Sequence, residues 1–558
     1  MKIGEKKILA YALEDGLKHD EAKVQAVLGK LFLEGLEKSQ IRDVMPTLQK
    51  VVKKVNGMSK DKRQKEFDNL KGEVKERKHE QRDGLPELKN GKVGKVVMRV
   101  APSASGPLHI GHAYPFSLNS EFCKMYKGKL IVRVEDTNPE NIDVKAYDLI
   151  KEDMDWLTGG NVSSFVIQSD RMEKYYKYAE RLLKEGDAYV CTCSQVDFKK
   201  FSDGKKECMC RSLSAKENID RWKRMFKEKD GWGVMRIKTD MQHKNPAMRD
   251  FPAFRINHTP HPRTKKKYTV WPLMNFAVAI DDLVMGVTHT LRGKDHFDNA
   301  TRQGYIFKYF EHKSPEHLFV GRVNFEGMPL STSETAKKIK AGNYSGWSDI
   351  RLPFLQAMKK KGYRAEALRK FYVSMGVGLN DKSVKREDYF QLINSYNKEI
   401  INEEANRYFF IGDPVMVRVE EAPELNVGLK LHPSFPKRGK RNFKTSKVFY
   451  LSKSDVNFKE NKMYRLMDCL NFVKKGKKLV FHSKEYTQFK EKGESIMHWL
   501  PMDAKQLVSV KVLMDNGKWM SGLAEKGVSK LKIGTAIQFE RFGFCVKTGK
   551  NEFWFTHK

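Results

Sequence analysis

No uninterrupted run of about 18 apolar residues occurs in the chain, which excludes an ordinary membrane-spanning helix. The first residues, MKIGEKKILAYALEDG, lack the continuous apolar core of a secretory leader and carry acids early, so the chain reads as cytoplasmic. Cysteine is scarce. Seven occur in 558 residues, four of them clustered, which argues against a disulfide framework and for a reduced compartment. Acids are also short, 70 against 105 lysines and arginines, and the formal charge of +35 points to a polyanionic partner held through counterion release. Charge alone does not distinguish one nucleic acid from another. What is present is a globular composition, 40% hydrophobic, on a chain with room for about three to five domains.

The stretch from Lys95 to Pro139 reads KVVMRVAPSASGPLHIGHAYPFSLNSEFCKMYKGKLIVRVEDTNP. Its apolar run Val97 to Ala101 predicts a buried strand, followed by a Pro/Ser/Gly loop. A helix is expected from about Gly111 to Tyr126 and a second strand over Leu130 to Val134. Such a unit delivers His109-Ile110-Gly111-His112 to a helix start, where free N–H groups and the positive dipole end suit nucleotide phosphates. Two imidazoles one turn apart can donate hydrogen bonds to charge developing on a phosphoryl group. Gly111 would let a nucleotide approach the backbone closely. Four residues alone are also what two capping or surface histidines look like.

Much else matches. The run Arg99 to Ala113 resembles the signature of class I aminoacyl-tRNA synthetases in the glutamyl/glutaminyl branch. Arg133-Val-Glu-Asp-Thr-Asn-Pro139 resembles that branch's second hallmark at the expected distance. Within the branch, the likeness is to glutamyl enzymes of the archaeal type. By that resemblance, Pro102, His109, Gly111, His112, Ser331 and Ser333 would bind ATP, with His109 and His112 catalytic. Arg99, Ser103, Glu135 and Arg292 would hold glutamate. Arg292 falls where glutamyl enzymes place an arginine for the substrate carboxylate and glutaminyl enzymes a cysteine. A guanidinium fork holds a carboxylate bidentately, and an amide would leave it badly paired. The family's substrate tyrosine has no counterpart here, since Met274 or Asn275 occupies that neighbourhood.

Elsewhere the residues speak more locally. Val24, Val27, Leu28, Leu31, Phe32 and Leu36 form an amphipathic stripe near the N-terminus. The charged text from Met58 to Asn90 reads as a solvated helix or linker, with a basic arm to RNA as the alternative. Helices are expected over 143–158 and 170–186, each ending at glycine. Cys191-Thr-Cys193 and Cys208-Met-Cys210, separated by fourteen residues, offer a tetrahedral thiolate set for a structural Zn²⁺. Four buried thiols are the alternative, and each pair is one residue tighter than the usual spacing. Asp281-Asp282 sit between apolar runs where the sheet is expected to resume, at strand ends that suit ligands.

The signature loop, Pro329-Leu-Ser-Thr-Ser-Glu334-Thr-Ala-Lys337-Lys338, has an acid where archaeal-type enzymes usually have lysine. Lys337 shares a helical face with Glu334 and is the expected replacement cation, held by that acid, unless serine hydroxyls and backbone amides carry the phosphates. From Arg407 onward, short alternating strands with interleaved aromatics and basic residues predict β-barrels suited to unstacked bases.

The fold expected is multidomain α/β plus all-β. It comprises a helical extension over 1–94, a Rossmann-type catalytic domain in halves 95–190 and 271–345, and a zinc-bearing acceptor-stem insertion over 191–270 between them. A helical stem-contact domain over 346–403 and a β-barrel anticodon-binding region over 404–558 complete it. The resemblance implies ligation of L-glutamate to tRNA(Glu) through a glutamyl-adenylate, using ATP with Mg²⁺, by a monomer with no membrane partner. Charging of tRNA(Gln), a glutaminyl enzyme, and a tRNA-binding relative without activation stay open as alternatives.

Overall fold

The computed structural model describes residues 4–74 and 84–558. The chain divides into two compact units, Met1–Arg82 and Asp83–Lys558. Among the described residues no helix is long and apolar enough to cross a membrane.

The first unit holds helices α1 (Glu5–His19), α2 (Val24–Leu33), α3 (Ile41–Asn56) and α4 (Lys60–Leu70). Val27, Leu31 and Leu36 of the predicted stripe enter its core with Ile8, Leu13, Leu48 and Val55, while Phe32 stays exposed. Buried Arg63 ties the helices together by donating to the carbonyls of Val55 (3.0 Å), Gly16 (3.1 Å) and Asn56 (3.1 Å). Those acceptors lie in the last turns of α1 and α3, where carbonyls lack helical partners and a cation is favoured. The charged text from Met58 becomes α4 over its first part, and residues 75–83 lie outside the described residues.

The second unit opens with β1 (Val97–Val100), α5 (Ile110–Met125), β2 (Lys129–Val134), α6 (Ala146–Thr158) and β3 (Ser164–Ile167). An excursion follows through α7 (Met172–Glu185), β4 (Ala188–Cys191), α8 (Gln195–Asp203), α9 (Ala215–Met225), β5 (Val234–Ile237), β6 (Pro252–Ile256) and β7 (Val270–Pro272). The chain then runs α10 (Met274–Val284), β8 (His289–Gly293), α11 (Phe297–Tyr309), β9 (Glu316–Val320), β10 (Val323–Glu326) and α12 (Thr332–Lys340). Three helices, α13 (Leu355–Lys360), α14 (Ala365–Met375) and α15 (Arg386–Glu404), lead to the β region, with the short β11 (Lys382–Lys385) before the last.

Strands β3-β2-β1-β8-β9 form one sheet, in that order and all parallel. Met98, Val100, Leu130, Val132 and Val134 share one face of β1 and β2, buried against α5 and α6, and the intervening Arg99, Ile131 and Arg133 take the opposite face. The strand order reverses between β1 and β8, and at such a switch point a crevice opens outside the carboxyl ends of the strands. The excursion builds its own antiparallel sheet, β4-β5-β6-β7, packed around Trp222, Phe254, Trp271 and Phe276.

Two expectations are corrected here. Asp281 and Asp282 lie on α10, a helix buried on most sides, and not at strand ends. The C-terminal region forms two seven-stranded mixed sheets, and neither closes as a barrel. In the first, the edge strands Asn406–Tyr408 and Phe410–Gly412 are pieces of one segment broken at Phe409. In the second, Gly493–Met497 and Leu500–Pro501 stand in the same relation across His498 and Trp499. Each such segment pairs with one edge of its sheet before the break and with the other edge after it.

Candidate active site

Beyond Val100 the pairing of β1 with β2 continues into the loop. Glu135 donates its N–H to the Pro102 carbonyl (2.9 Å), and Ala104 donates to the Glu135 carbonyl (3.2 Å). Pro102, Ser103 and Glu135 are thereby brought together at the sheet's carboxyl edge. His109 caps α5 reciprocally with His112. The Nδ1 of His109 accepts the Gly111 N–H (3.1 Å), and the Nδ1 of His112 accepts the His109 N–H (3.3 Å). A neutral imidazole accepting at Nδ1 carries its hydrogen on Nε2. Burial, and then the neighbouring His112, pushes His109 down to about 2, and burial pushes His112 down to about 4. Both rings are therefore neutral near pH 7, stacked with centroids 3.8 Å apart, and each offers an Nε2–H.

Gly111 has a reason nearer home than nucleotide approach. A Cβ there would lie 2.9 Å from Cε1 of His109, so the glycine makes room for the capping imidazole. The segment is clamped from outside by Leu355 N–H to the Leu108 carbonyl (2.9 Å) and Ile110 N–H to the Pro353 carbonyl (3.1 Å). Buried Asp153 on α6 accepts the Leu108 N–H (2.9 Å) and the Gln356 side-chain amide (2.8 Å). Burial pushes that carboxyl up to about 7.

The sheet's arginines meet the two acids of α10. Arg99 forks onto Asp282 with both bonds at 3.2 Å, and Arg133 donates to the same carboxylate at 2.6 Å. Asp281 takes Arg171 (2.6 Å), Tyr175 (2.7 Å) and Gln168 (3.0 Å). Burial opposes the ionisation of Asp282, yet the Arg99 and Arg133 guanidiniums hold it below the usual carboxylate range. Arg292, on β8, differs from these. It is 8% exposed and makes no ion pair among the described residues. Its Nη2 donates to the Gln303 side chain (3.0 Å), and its Nε finds no acceptor. Burial, and then the charge of Arg99, pushes it down to about 9. Half-buried Glu135 is raised by burial against the pull of Arg133 and Arg99.

The signature loop lies against the His109 loop. A Cβ on Gly106 would fall 2.4 Å from the Thr332 methyl, and one on Gly111 would fall 3.5 Å from Leu330. Ser331 caps α12 by accepting the Glu334 N–H (3.3 Å), with the Ser333 hydroxyl 3.3 Å away. This helix start, with two exposed hydroxyls, suits an anion. The expected pairing of Glu334 with Lys337 does not form. Glu334 pairs with Lys338 at 2.8 Å, because a four-residue step brings the two side chains closer than a three-residue step does here.

The ligand sulfurs of Cys191, Cys193, Cys208 and Cys210 all lie within 4.8 Å of one another. Two pairs stand at 3.9 and 4.0 Å, near the edge of about 3.8 Å that four Zn–S bonds of about 2.3 Å would span. The neighbouring Cys191 thiol, hydrogen-bonded to Cys208, outweighs the burial that opposes a thiolate there and draws Cys208 down to about 5. The donor set therefore fits zinc. Asp153 and Gln303 were not legible as site residues, and Asp282 was read as a strand-end residue instead of the helix-borne partner of Arg99 and Arg133. The one available signal was an arginine inside each of two apolar strands, which demands a buried acid somewhere.

A parallel sheet with a histidine-capped loop at its switch point, buried arginines and an inserted cysteine cluster defines a nucleotide-using catalytic domain followed by β domains. The chain belongs to the class I (E and Q) tRNA synthetases: that family's catalytic domain matches residues 95–403, and its anticodon-binding domains match 405–489 and 471–548. The chain is 42% identical to the glutamate–tRNA ligase of Methanocaldococcus jannaschii over 546 residues, covering 97% of each. It is 40% identical to that of Methanothermobacter marburgensis over 557 residues, covering 99% of each. The glutamate–tRNA ligase of Pyrococcus furiosus is 40% identical over 563 residues, with 97% of this chain and 96% of that one covered.

Proposed function

We propose that this chain joins L-glutamate to tRNA(Glu) in two ATP-dependent steps. Glutamate's α-carboxylate attacks the α-phosphorus of ATP, the bond to the bridging oxygen breaks, and pyrophosphate leaves. The terminal adenosine's 2′-hydroxyl then attacks the acyl carbon and AMP departs. The observation that carries the choice of glutamate is Arg292, a buried arginine that donates to an amide and makes no ion pair among the described residues. A substrate carboxylate supplies the missing counter-charge, and glutamine's carboxamide does not.

Glu135 and Ser103 stand where the substrate's ammonium can be held, and an incoming cation favours the ionised form of Glu135. The Nε2–H groups of His109 and His112 donate to phosphate oxygens as charge grows on them, without first losing a proton. Pro102 and Gly111 shape the floor under the nucleotide, and Ser331 and Ser333 receive the leaving pyrophosphate with Lys337 nearby. Mg²⁺ bound with ATP would neutralise phosphate charge. Arg99, steadied by its fork on Asp282, completes the set that holds glutamate with Ser103, Glu135 and Arg292.

Residues 1–94 serve as an appended extension and 95–190 with 271–345 as the catalytic halves. The insertion 191–270, with its cysteines closed by zinc, grips the acceptor end. Residues 346–403 contact the stem, and 404–558 read the anticodon. The test is ATP–pyrophosphate exchange in the presence of tRNA(Glu) or tRNA(Gln), with glutamate or glutamine as substrate. Exchange with glutamate supports the reading, exchange with glutamine alone makes this a glutaminyl enzyme, and no exchange with either makes it a binding protein.

A further inference from the structure

Arg292 is held by a neutral group, in contrast to its neighbours. Arg99 and Arg133 rest on Asp282, and Arg171 rests on Asp281. Arg292 instead donates to Oε1 of Gln303, which lies on α11 and is 1% exposed. A guanidinium only donates, so the oxygen of Gln303 faces it and the Nε2 must find an acceptor. That acceptor is Oδ1 of Asn275 at 3.2 Å, with the Met274 sulfur at 3.9 Å. Asn275 then donates to Oδ1 of Asn299 (3.1 Å), and Asn299 reaches Nδ1 of His296 (3.1 Å). Each amide is turned by the one before it. The arginine is thus tethered by a directional line of uncharged groups running from β8 into α10 and α11.

A buried arginine can be aimed by a carboxylate or by an amide, with different consequences. A carboxylate would aim it and cancel its charge, as Asp282 does for Arg99. An amide aims it and leaves the charge for the ligand. We propose that Gln303 is a specificity-determining positioning residue, which orients Arg292 toward the substrate side chain while leaving its charge uncancelled, so that the site prefers a carboxylate over a carboxamide. This rests on Arg292 as the residue that meets the substrate side chain. The sequence carries the logic in one position: glutamic acid at 303 would have the same shape and the opposite effect.

The experiment measures kcat/KM for glutamate and for glutamine, and KM for ATP, in pyrophosphate exchange with tRNA present. The parent, Gln303→Glu and Arg292→Ala are compared. Gln303→Glu should lower the glutamate-to-glutamine ratio by about tenfold or more, through a raised KM for glutamate, with KM for ATP within about twofold of the parent. A ratio within about twofold of the parent in Gln303→Glu, alongside a collapsed ratio in Arg292→Ala, overturns the role of Gln303 and spares Arg292. An unchanged ratio in Arg292→Ala removes Arg292 from substrate recognition and takes this inference with it. Should Gln303→Glu not fold, Gln303→Met keeps the volume and removes the acceptor. It must then raise KM for glutamate by about fivefold or more with KM for ATP unchanged, and an unchanged KM for glutamate overturns the inference.

Discussion

Glu334 and Lys338 form an ion pair at 2.8 Å across one turn of the signature helix, and Lys337 beside them makes no ion pair among the described residues. The pair is exposed, so it sets where charge is available more than it adds stability. Lys337 is then the loop cation whose charge stays unmatched. Lys337→Ala should slow adenylate formation by about tenfold, with tRNA affinity near that of the parent, whereas Lys338→Ala should change it less than about twofold. Glu334→Lys should raise the rate. Equal rates in Lys337→Ala and the parent would remove this lysine from the mechanism.

The two signature histidines carry a pH signature. In the folded chain His112 protonates only near about 4, below its ordinary 6.5, because burial disfavours the imidazolium. Between those values the unfolded chain binds a proton that the folded chain refuses. Stability contributed by the neutral ring is therefore complete above the ordinary value and is lost as pH falls toward the folded one. His112→Gln should flatten this part of the stability–pH curve, measured by thermal unfolding from about pH 7 down to about pH 4. A variant with the same acid slope as the parent would contradict the assignment.

The cysteine cluster predicts about one zinc per chain, one ion for one tetrahedral set. Cys208→Ser should remove it and weaken tRNA charging more than ATP binding, since the cluster lies in the excursion. Elemental analysis finding no metal in active protein would end the idea.

Asp282 compensates two buried arginines at once. Asp282→Ala should cost about 3–5 kcal/mol of stability, as expected when a buried pair loses one partner. An early transition in thermal unfolding is the readout, and a melting curve like the parent's would show that the network is not what holds β1 and β2 against α10.

The chain's legibility followed the reach of its interactions. β1, its loop, α5 and β2 could be read because an apolar run, a Gly/Pro break and a helical pattern succeed one another within 45 residues, Lys95 to Pro139. The strands of the C-terminal region announced themselves by alternation. α10 was misread because WPLMNFAVAI is apolar all round, and a helix buried on most sides loses the periodicity that separates it from a strand. The edge pairings of the C-terminal sheets depend on which segment returns to which edge, which no local pattern records. The same holds for Gln303 and Asp153, whose partners are far away in the fold's logic even when near in sequence. Glu334 was assigned Lys337 because steps of three and four share a helical face, and only coordinates separate them.

The most direct test of the central claim is the glutamate-to-glutamine preference of Arg292→Ala against that of the parent, measured with KM for ATP in one pyrophosphate-exchange series. Loss of one charge-assisted pair, about 1.5–3 kcal/mol, predicts at least a tenfold fall in kcat/KM for glutamate with KM for ATP unchanged. Glutamate kinetics identical to the parent's would contradict the account.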